Sequence, residues 1–187
     1  KNAINEVMQK VGGNDEVKSE ILTSLIYAFE QFENLTMVGF VIDDFYSKLP
    51  ANLKDEALIS DMRSKIKLAI GNQAPEIFWE ENGKQKKLSE LVISDNYILV
   101  FWSTTCSHCL QEIPKLYEFT LGNDAIHVIS VALEDHKKDF EQFSTKLPKW
   151  TNILGLKKWE NEMAKEYNIN ATPTYFILGK DKRILAK

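Results

Sequence analysis

The most informative segment of the sequence reads Trp102-Ser103-Thr104-Thr105-Cys106-Ser107-His108-Cys109. It follows an apolar run from Tyr97 to Trp102 that is rich in β-branched and aromatic residues, and a helical pattern comes directly after it. A buried strand is therefore expected to end where a helix begins. The chain contains only 2 cysteines, Cys106 and Cys109. Two thiols so close in sequence cannot cross-link a fold, so they predict a chemical use for sulfur.

Placement at the start of a helix predicts that Cys106 is reactive. Unpaired backbone N–H groups and the positive end of the helix dipole stabilise a thiolate there, which lowers the thiol pKa below about 8.5. His108 can add positive charge in the same direction, and Cys109 lies one helical turn further in, where it is shielded. The Cys106 thiolate would attack a disulfide, and Cys109 would resolve the mixed disulfide that forms.

Other uses of a Cys-x-x-Cys pair have less support in the sequence. A zinc site needs two more ligands, and only His108, His127 and His136 could supply imidazole nitrogen. A haem attachment site needs histidine directly after the second cysteine, where Leu110 stands instead. A structural disulfide over so short a loop would restrain the unfolded chain very little. Zinc and a structural disulfide remain alternatives, whereas haem attachment is excluded.

The sequence around this segment predicts parallel and antiparallel strands with helices between them. A second apolar run, His127 to Leu133, is separated from the first by the helical pattern, as in a βαβ unit with buried parallel strands. Near the end, a strand from Tyr175 to Leu178 and a partner strand from Arg183 predict an antiparallel hairpin. The other expected elements are a small hairpin at 77–87 that turns at Asn82-Gly83, a short helix at 88–92, and helices at 137–146 and 160–167.

The first 70 residues, which hold no cysteine or histidine, predict a separate helical module without visible chemistry. From Val17 onward, apolar side chains recur at the spacing of one helical stripe. The stripe consists of Ile21, Leu22, Leu25, Ile26, Phe29 and Phe32. A second helix would cover 40–46, and a third would begin near the capping residues Asn52 and Asp55. These apolar faces must be buried, either within a small bundle that packs against the rest of the chain, or in a homodimer through residues 1–70, or in a partner interface.

Composition and charge exclude several classes of protein. The chain has 27 acidic and 23 basic side chains and a net charge of −4, so it lacks the basic excess typical of proteins that bind nucleic acid. The longest apolar run, Tyr97 to Trp102, is far shorter than the roughly 20 residues of a transmembrane helix. The chain starts with Lys1 rather than Met, which predicts a processed product; a removed leader that carried a lipid anchor is one option.

A second motif, Asn170-Ala171-Thr172-Pro173-Thr174, directly precedes the strand at Tyr175. With it, residues 71–187 resemble the thioredoxin superfamily, in particular the TlpA/ResA-type thiol-disulfide oxidoreductases found outside the bacterial cytoplasm. The matching positions are Gly71, Ala74 and Pro75 (G-x-x-A-P), Phe101-Trp102, Cys106, Cys109, Glu112 and Pro114 (C-x-x-C-x-x-E-x-P), and Thr172-Pro173 (T-P-T). The resemblance implies an α/β, thioredoxin-like fold, with a central mixed sheet flanked by helices, preceded by the small all-α module.

The resemblance also implies roles for individual residues. Cys106 would be the nucleophile and Cys109 the resolving cysteine. Glu112 would be a partly buried carboxylate near Cys109 that passes protons, because desolvation raises its pKa. Pro173 would follow a cis peptide bond and lie beside Cys106. An extended substrate segment would contact Trp102, Ser107, His108, Thr172 and Pro173, and the backbone of Thr172 would pair with it.

The function that follows is thiol-disulfide exchange with protein substrates, more as a reductant than as an oxidant, with no cofactor and no metal. The partners would be protein thiols and disulfides and a membrane or periplasmic redox protein outside the cytoplasm. Similar helical extensions precede such domains in Bacteroidetes proteins. Two positions depart from the family: Val100 replaces the buried acid of many thioredoxins, and His108 stands where strongly oxidising DsbA-type proteins carry histidine. The chain also ends at Lys187, before the last helix of the fold.

Two other functions remain open. A thiol peroxidase of the peroxiredoxin type requires threonine three positions before its cysteine, where this chain has Ser103. A copper carrier of the same superfamily would use a longer cysteine spacing and a later histidine, whereas the last histidine here is His136. For each alternative, this sequence therefore lacks a residue or a spacing that the corresponding family requires.

Overall fold

The computed structural model describes residues 1–187, which form two compact units, Lys1–Ala69 and Ile70–Lys187. The boundary lies one residue before the position that the change of sequence pattern predicts. No helix is both long enough and apolar enough to cross a membrane. The α-helices of the first unit are α1 Asn2–Val11, α2 Asp15–Gln31, α3 Leu35–Asp44 and α4 Glu56–Lys67.

Capping side chains set where the helices of the first unit begin. Asp55 Oδ1 accepts the backbone N–H of Leu58 at 3.0 Å, which satisfies a donor in the first turn of α4 that has no partner within the helix. The predicted arrangement, with Asn52 at the helix start and Asp55 three residues later, is therefore wrong, because Asp55 itself is the N-cap of α4. The Asn52 residue lies in a separate 3-10 turn, Ala51–Leu53, because the chain makes a further turn before α4 starts.

The helices of the first unit bury their apolar faces against one another. The buried core consists of Ile4, Met8, Leu22, Ile26, Val38, Val41, Ile42, Tyr46, Leu49, Leu58 and Met62. A small bundle with its own apolar core therefore exists within this unit, whereas the homodimer and the partner interface stay predictions. The sequence pattern does not predict α1, since only Ile4 and Met8 of that helix are buried and two positions make too short a stripe.

The second unit contains a five-stranded mixed sheet and a separate hairpin. In chain order its elements are β1 Phe78–Glu81, β2 Lys84–Lys87, β3 Asn96–Trp102, α5 Ser107–Thr120, β4 Ile126–Glu134, α6 Lys137–Ser144, β5 Thr151–Leu156, α7 Glu162–Glu166, β6 Thr174–Gly179 and β7 Ile184–Ala186. The strand order is β5-β4-β3-β6-β7, in which β3, β4 and β5 are parallel and β6 and β7 run antiparallel to their neighbours. The predicted βαβ unit and both hairpins are confirmed, and the short helix expected at 88–92 is a 3-10 turn, Leu88–Glu90.

The edge strand β5 is absent from the sequence prediction. It pairs in parallel with β4, from Ile129 opposite Thr151 to Glu134 opposite Leu156. Polar and small residues interrupt the apolar pattern of β5. Close packing against β4 explains the glycine at position 155. A Cβ at Gly155 would lie 2.9 Å from the Leu133 side chain of the neighbouring strand, so a larger residue would require that side chain to shift.

The central strand β3 delivers the Cys-x-x-Cys segment to one edge of the sheet. Its side chains from Tyr97 to Trp102 are all buried, and those of one face pack against Cys109 and Ile113 of α5. Its last residue, Trp102, pairs with Ala132, so the segment that follows β3 lies next to the end of β4. The fold thus brings the turn before Cys106 and the last residues of β4 together.

Candidate active site

Cys106 is the N-cap residue of α5, where the sequence places it. Its backbone is extended, and its Sγ accepts the backbone N–H of Cys109 at 3.2 Å. This N–H belongs to the first helical turn and has no acceptor within the helix. Both cysteines are free thiols; Cys106 is partly accessible, whereas Cys109 is fully buried. The Cys106 sulfur can therefore contact another molecule, whereas the Cys109 side chain has no surface exposed to solvent.

A distant segment completes the surroundings of Cys106. The Thr172–Pro173 peptide bond is cis, and the Cys106 thiol donates to the Thr172 carbonyl oxygen at 3.3 Å. These residues come from the loop before β6, the antiparallel neighbour of β3. Cys106 Sγ is thus held between the start of α5 and a backbone carbonyl of the loop that the sequence associates with it.

The two thiols differ in pKa for physical reasons. Burial on its own would raise the pKa of the Cys106 thiol, but hydrogen bonds outweigh it and lower the pKa; they come from the side chains of Cys109 and Thr172 and from the backbone N–H groups of Cys109 and His108. For Cys109, burial and the hydrogen bond with Cys106 raise the pKa to about 11. The pair therefore holds one thiol ready to ionise and one that stays protonated at neutral pH.

Comparisons with known proteins agree with this geometry. A family model described as thioredoxin-like matches residues 94–184. Thiol-disulfide oxidoreductase ResA of Bacillus cereus is 25% identical over 134 residues, which cover 66% of this chain and 71% of that protein. A crystal structure of a domain of a possible thiol-disulfide isomerase from Cytophaga hutchinsonii is 34% identical, with a TM-score of 0.55, over 64% of this chain and 84% of its own. The chain belongs to the TlpA/ResA-type thioredoxin superfamily.

The thioredoxin domain of a thiol-disulfide oxidoreductase from Bacteroides vulgatus, at 22% identity and a TM-score of 0.55, covers 64% of this chain and 88% of its own and shares the fold. The expected thioredoxin-like fold, a mixed sheet flanked by helices, is therefore confirmed. The family model, the ResA relative and the Cytophaga hutchinsonii domain confirm the class of enzyme, an oxidoreductase of the thiol-disulfide type. Nowhere in residues 1–187 do three or more His, Cys, Asp or Glu side chains form a group that could hold a metal ion.

Trp102 does not lie where an incoming peptide could touch it. Its side chain is 0% exposed, its Nε1–H donates to Ser130 Oγ at 2.6 Å, and its ring packs against Phe143 with centroids 4.8 Å apart. The expected substrate contact is therefore wrong for this thioredoxin-like domain, because Trp102 ends a central strand and points into the core. Ser107 and His108, by contrast, are exposed beside Cys106, and Thr172 and Pro173 are half-buried.

Glu112 is not the partly buried carboxylate that the family resemblance implies. It is 48% exposed and forms an ion pair with Lys115 at 3.0 Å. The residue that follows Glu112 on α5, Ile113, takes the buried position one turn after Cys109, so Glu112 itself faces solvent. The expectation that Glu112 is partly buried is therefore wrong, and its role in proton transfer stays a prediction. Pro114 lies inside α5 on the exposed side.

Two residues near the thiols escape the sequence prediction. Glu134, the last residue of β4, is buried and accepts a hydrogen bond from the backbone of Thr104. Its position directly after three apolar residues, 131–133, at the end of a predicted buried strand is a usable signal, since a charged side chain there requires a buried partner. Tyr175 is the second of these residues. Burial raises the pKa of its phenol, and the charges of Glu112, Cys109 and Cys106 raise it by smaller amounts.

The difference between the two thiol pKa values predicts selective alkylation. A thiol with a lowered pKa is still ionised at a pH where an ordinary thiol is protonated, so iodoacetamide should modify Cys106 at pH values where Cys109 does not react. Peptide mass spectrometry after short pulses between about pH 5 and pH 10 gives both profiles. Urea-unfolded protein is the control, since both thiols should then react as ordinary cysteines. Equal profiles in the folded protein would contradict the assignment.

Proposed function

We propose that the chain exchanges disulfides with protein substrates, with Cys106 as nucleophile and Cys109 as resolving cysteine, and that it acts as a reductant. The observation that carries the proposal is the position of Cys106 Sγ, between the Cys109 N–H at the start of α5 and the Thr172 carbonyl. The backbone N–H groups of Cys109 and His108 donate to a thiolate at this position, and Cys106 is partly accessible to another molecule.

The proposed reaction consists of two successive thiol-disulfide exchanges. The Cys106 thiolate attacks one sulfur of a substrate disulfide, which forms a mixed disulfide and releases the other substrate sulfur as a thiolate. Cys109 then gives up its proton to the substrate thiolate released in the first step, and its sulfur attacks Cys106 Sγ, which releases the second substrate thiolate. The substrate gains two electrons, and the enzyme is left with a Cys106–Cys109 disulfide. A thiol donor, which we propose to be a membrane or periplasmic redox protein, restores the reduced pair.

The surface around Cys106 fits an extended peptide. Ser107 and His108 are exposed on one side of the sulfur, and Thr172 and Pro173 lie on the other. A cavity of about 310 Å³ opens beside the turn. It is lined by Thr104, Thr105, Leu110, Asp139, Gln142, Phe143 and Lys146. We propose that the Thr172 backbone pairs with the substrate main chain and that this cavity receives a neighbouring side chain.

The position of His108 removes one argument for an oxidising direction. A histidine that stabilised the Cys106 thiolate through its charge would favour the reduced pair and make the enzyme an oxidant. Here the imidazole is exposed to water, and the hydrogen bond from His108 that lowers the pKa of Cys106 comes from its backbone. Solvent screens an exposed charge, so the argument for strong oxidation is weak.

The reduction potential of the Cys106–Cys109 pair tests the direction. We expect a reduction potential of about −270 mV, as in thioredoxin, rather than about −120 mV, as in DsbA. Equilibration of the protein with glutathione buffers, followed by thiol trapping and mass spectrometry, gives the potential. A value at the DsbA end would show that the enzyme oxidises its substrates and would overturn the proposed direction.

Turnover with a protein disulfide tests the exchange reaction itself. Reduced protein mixed with insulin should release substrate thiols while its own two thiols disappear together. Hydrogen peroxide serves as the comparison substrate, because rapid peroxide consumption without insulin reduction would favour the peroxidase instead. In this structure the Ser103 hydroxyl donates to the Glu134 carboxylate rather than standing free beside Cys106.

We also propose an extracytoplasmic location, supported by membership of the TlpA/ResA-type group. The homodimer through residues 1–70 stays a prediction.

A further inference from the structure

A buried carboxylate that the exchange steps do not use lies beside the turn that carries Cys106. The Glu134 side chain, at the end of β4, is only 1% exposed. Its Oε1 accepts the Thr104 backbone N–H at 2.5 Å, and its Oε2 accepts the hydroxyl of Thr104 at 3.0 Å and that of Ser103 at 3.4 Å. All three donors belong to the short turn between β3 and Cys106.

Ser103 connects this carboxylate to the nucleophile. The Ser103 Oγ lies 3.0 Å from Thr105 Oγ1 and accepts the Thr105 backbone N–H at 3.3 Å. The Ser103 carbonyl oxygen accepts the backbone N–H of Cys106 at 3.2 Å. A continuous set of hydrogen bonds therefore runs from Glu134 to the residue that carries the reactive sulfur, and a shift of Ser103 would move that residue.

Burial makes the contacts between Glu134 and the turn mutually dependent. A carboxylate out of contact with water is stable only while its oxygens accept hydrogen bonds, and bonds to a charged acceptor are the stronger class. Because Ser103 and Thr104 supply these donors, the turn cannot move away without leaving a buried charge unsatisfied. The parallel register of β3 and β4 brings the two together, since Trp102 lies opposite Ala132.

We propose that Glu134 is a positioning residue for disulfide exchange, which it serves by holding the turn 103–105 so that Cys106 Sγ lies at the start of α5. The proposal rests on the proposed function, because it assigns Glu134 a role toward the nucleophile of that reaction. The effect of Glu134 on Cys106 is exerted through the geometry of the turn and not through a direct electrostatic interaction with the sulfur, since a negative charge near Cys106 would oppose formation of the thiolate.

Two substitutions separate position from charge. Glu134→Gln removes the charge but keeps the length of the side chain, and its amide oxygen can still accept the Thr104 N–H while its amide N–H groups can donate to the hydroxyl oxygens. Glu134→Asp keeps the charge but withdraws the carboxylate by about 1.5 Å, the length of one carbon–carbon bond. Asp135→Asn is the matched control, since it removes a charge from the next residue, which is exposed and pairs with Lys158 at 2.8 Å.

The readouts are Cys106 alkylation as a function of pH and disulfide exchange with insulin. Glu134→Gln should stay within about twofold of the wild-type rates, and Glu134→Asp should be about five- to tenfold slower in both at about pH 7, with its alkylation profile displaced to higher pH. The displacement follows because a turn that shifts loosens the hydrogen bond from the Cys109 N–H to Cys106 Sγ. Asp135→Asn should match the wild type in both measurements.

The outcomes distinguish this proposal from the proposed function. Wild-type rates in a folded Glu134→Asp protein would overturn the positioning role, and a Gln variant as slow as the Asp variant would overturn the geometric explanation. If wild-type protein exchanges no disulfides but its Cys106 alkylation still responds to Glu134→Asp, the proposed function fails and the positioning role is supported. Should Glu134→Asp lack the near-ultraviolet circular dichroism of the wild type, Ser103→Ala replaces it, and wild-type alkylation in that folded variant would overturn the proposal.

Discussion

Serine in place of Cys106 is expected to lower the rate of insulin reduction by at least about a thousandfold, because a hydroxyl stays protonated at a position where the thiol ionises. The substitution changes one atom of a partly exposed side chain, and the oxygen can still accept the Cys109 N–H that Cys106 Sγ accepts at 3.2 Å. Stability should therefore change little. Initial rates of insulin reduction, measured beside thermal unfolding, separate a loss of chemistry from a loss of fold.

Cys109→Ser is the matched variant for this experiment. It should keep the first step and lose the second, so that the mixed disulfide between Cys106 and the substrate accumulates and is visible as a covalent adduct in mass spectrometry. Exchange at the normal rate in Cys106→Ser would remove Cys106 from the mechanism. An adduct on Cys109 in the Cys106→Ser protein would instead reverse the order of the two thiols.

Trp102→Ala is expected to destabilise the protein by about 3–5 kcal/mol, the range for truncation of a large aromatic side chain in a core. Trp102 is fully buried, and its removal leaves a cavity against Phe143 and takes the Nε1–H donor from Ser130 Oγ, which is itself 0% exposed. Trp102→Phe fills most of the space but still leaves the serine hydroxyl without that donor, which costs about 1–3 kcal/mol. Urea unfolding followed by circular dichroism gives both values.

Trp159→Ala provides the same change of residue type at a surface position. Trp159 is 47% exposed, so its truncation should change the free energy of unfolding by no more than about 0.5 kcal/mol. If Trp102 instead contacts substrate directly, Trp102→Ala should leave the free energy of unfolding unchanged and raise the KM for a peptide substrate. That result would support the role that the family resemblance implies.

Local signals in the sequence were sufficient for the parts of the site that lie close together along the chain. The change from strand to helix periodicity after Trp102 places Cys106 at a helix start, and the structure has α5 begin at Ser107. The position of Cys109 one turn later follows from the helical repeat. By contrast, the contact of Cys106 with Thr172 joins segments far apart in sequence, so only the resemblance to the thioredoxin superfamily indicated it.

The errors have a common physical origin in tertiary packing. Glu112 and Ile113 are neighbours on α5, and only the way the helix packs on the sheet decides that the isoleucine is buried and the carboxylate exposed. The strand β5 contains asparagine and glycine, and it is a strand because β4 offers it an edge. Glu134 was overlooked since its partners, Ser103 and Thr104, lie on another element.

Tyr175 gives the molecule an optical property of its own. Its phenol is partly buried, and the charges on Glu112, Cys109 and Cys106 add to the effect of burial in raising its pKa. Closure of the disulfide would remove both ionisable sulfurs, so we expect the phenol to ionise at a lower pH in the disulfide form than in the dithiol form. Because tyrosinate absorbs at longer wavelength than tyrosine, the alkaline absorbance titrations of the reduced and the oxidised protein should differ, and Tyr175→Phe should remove the difference.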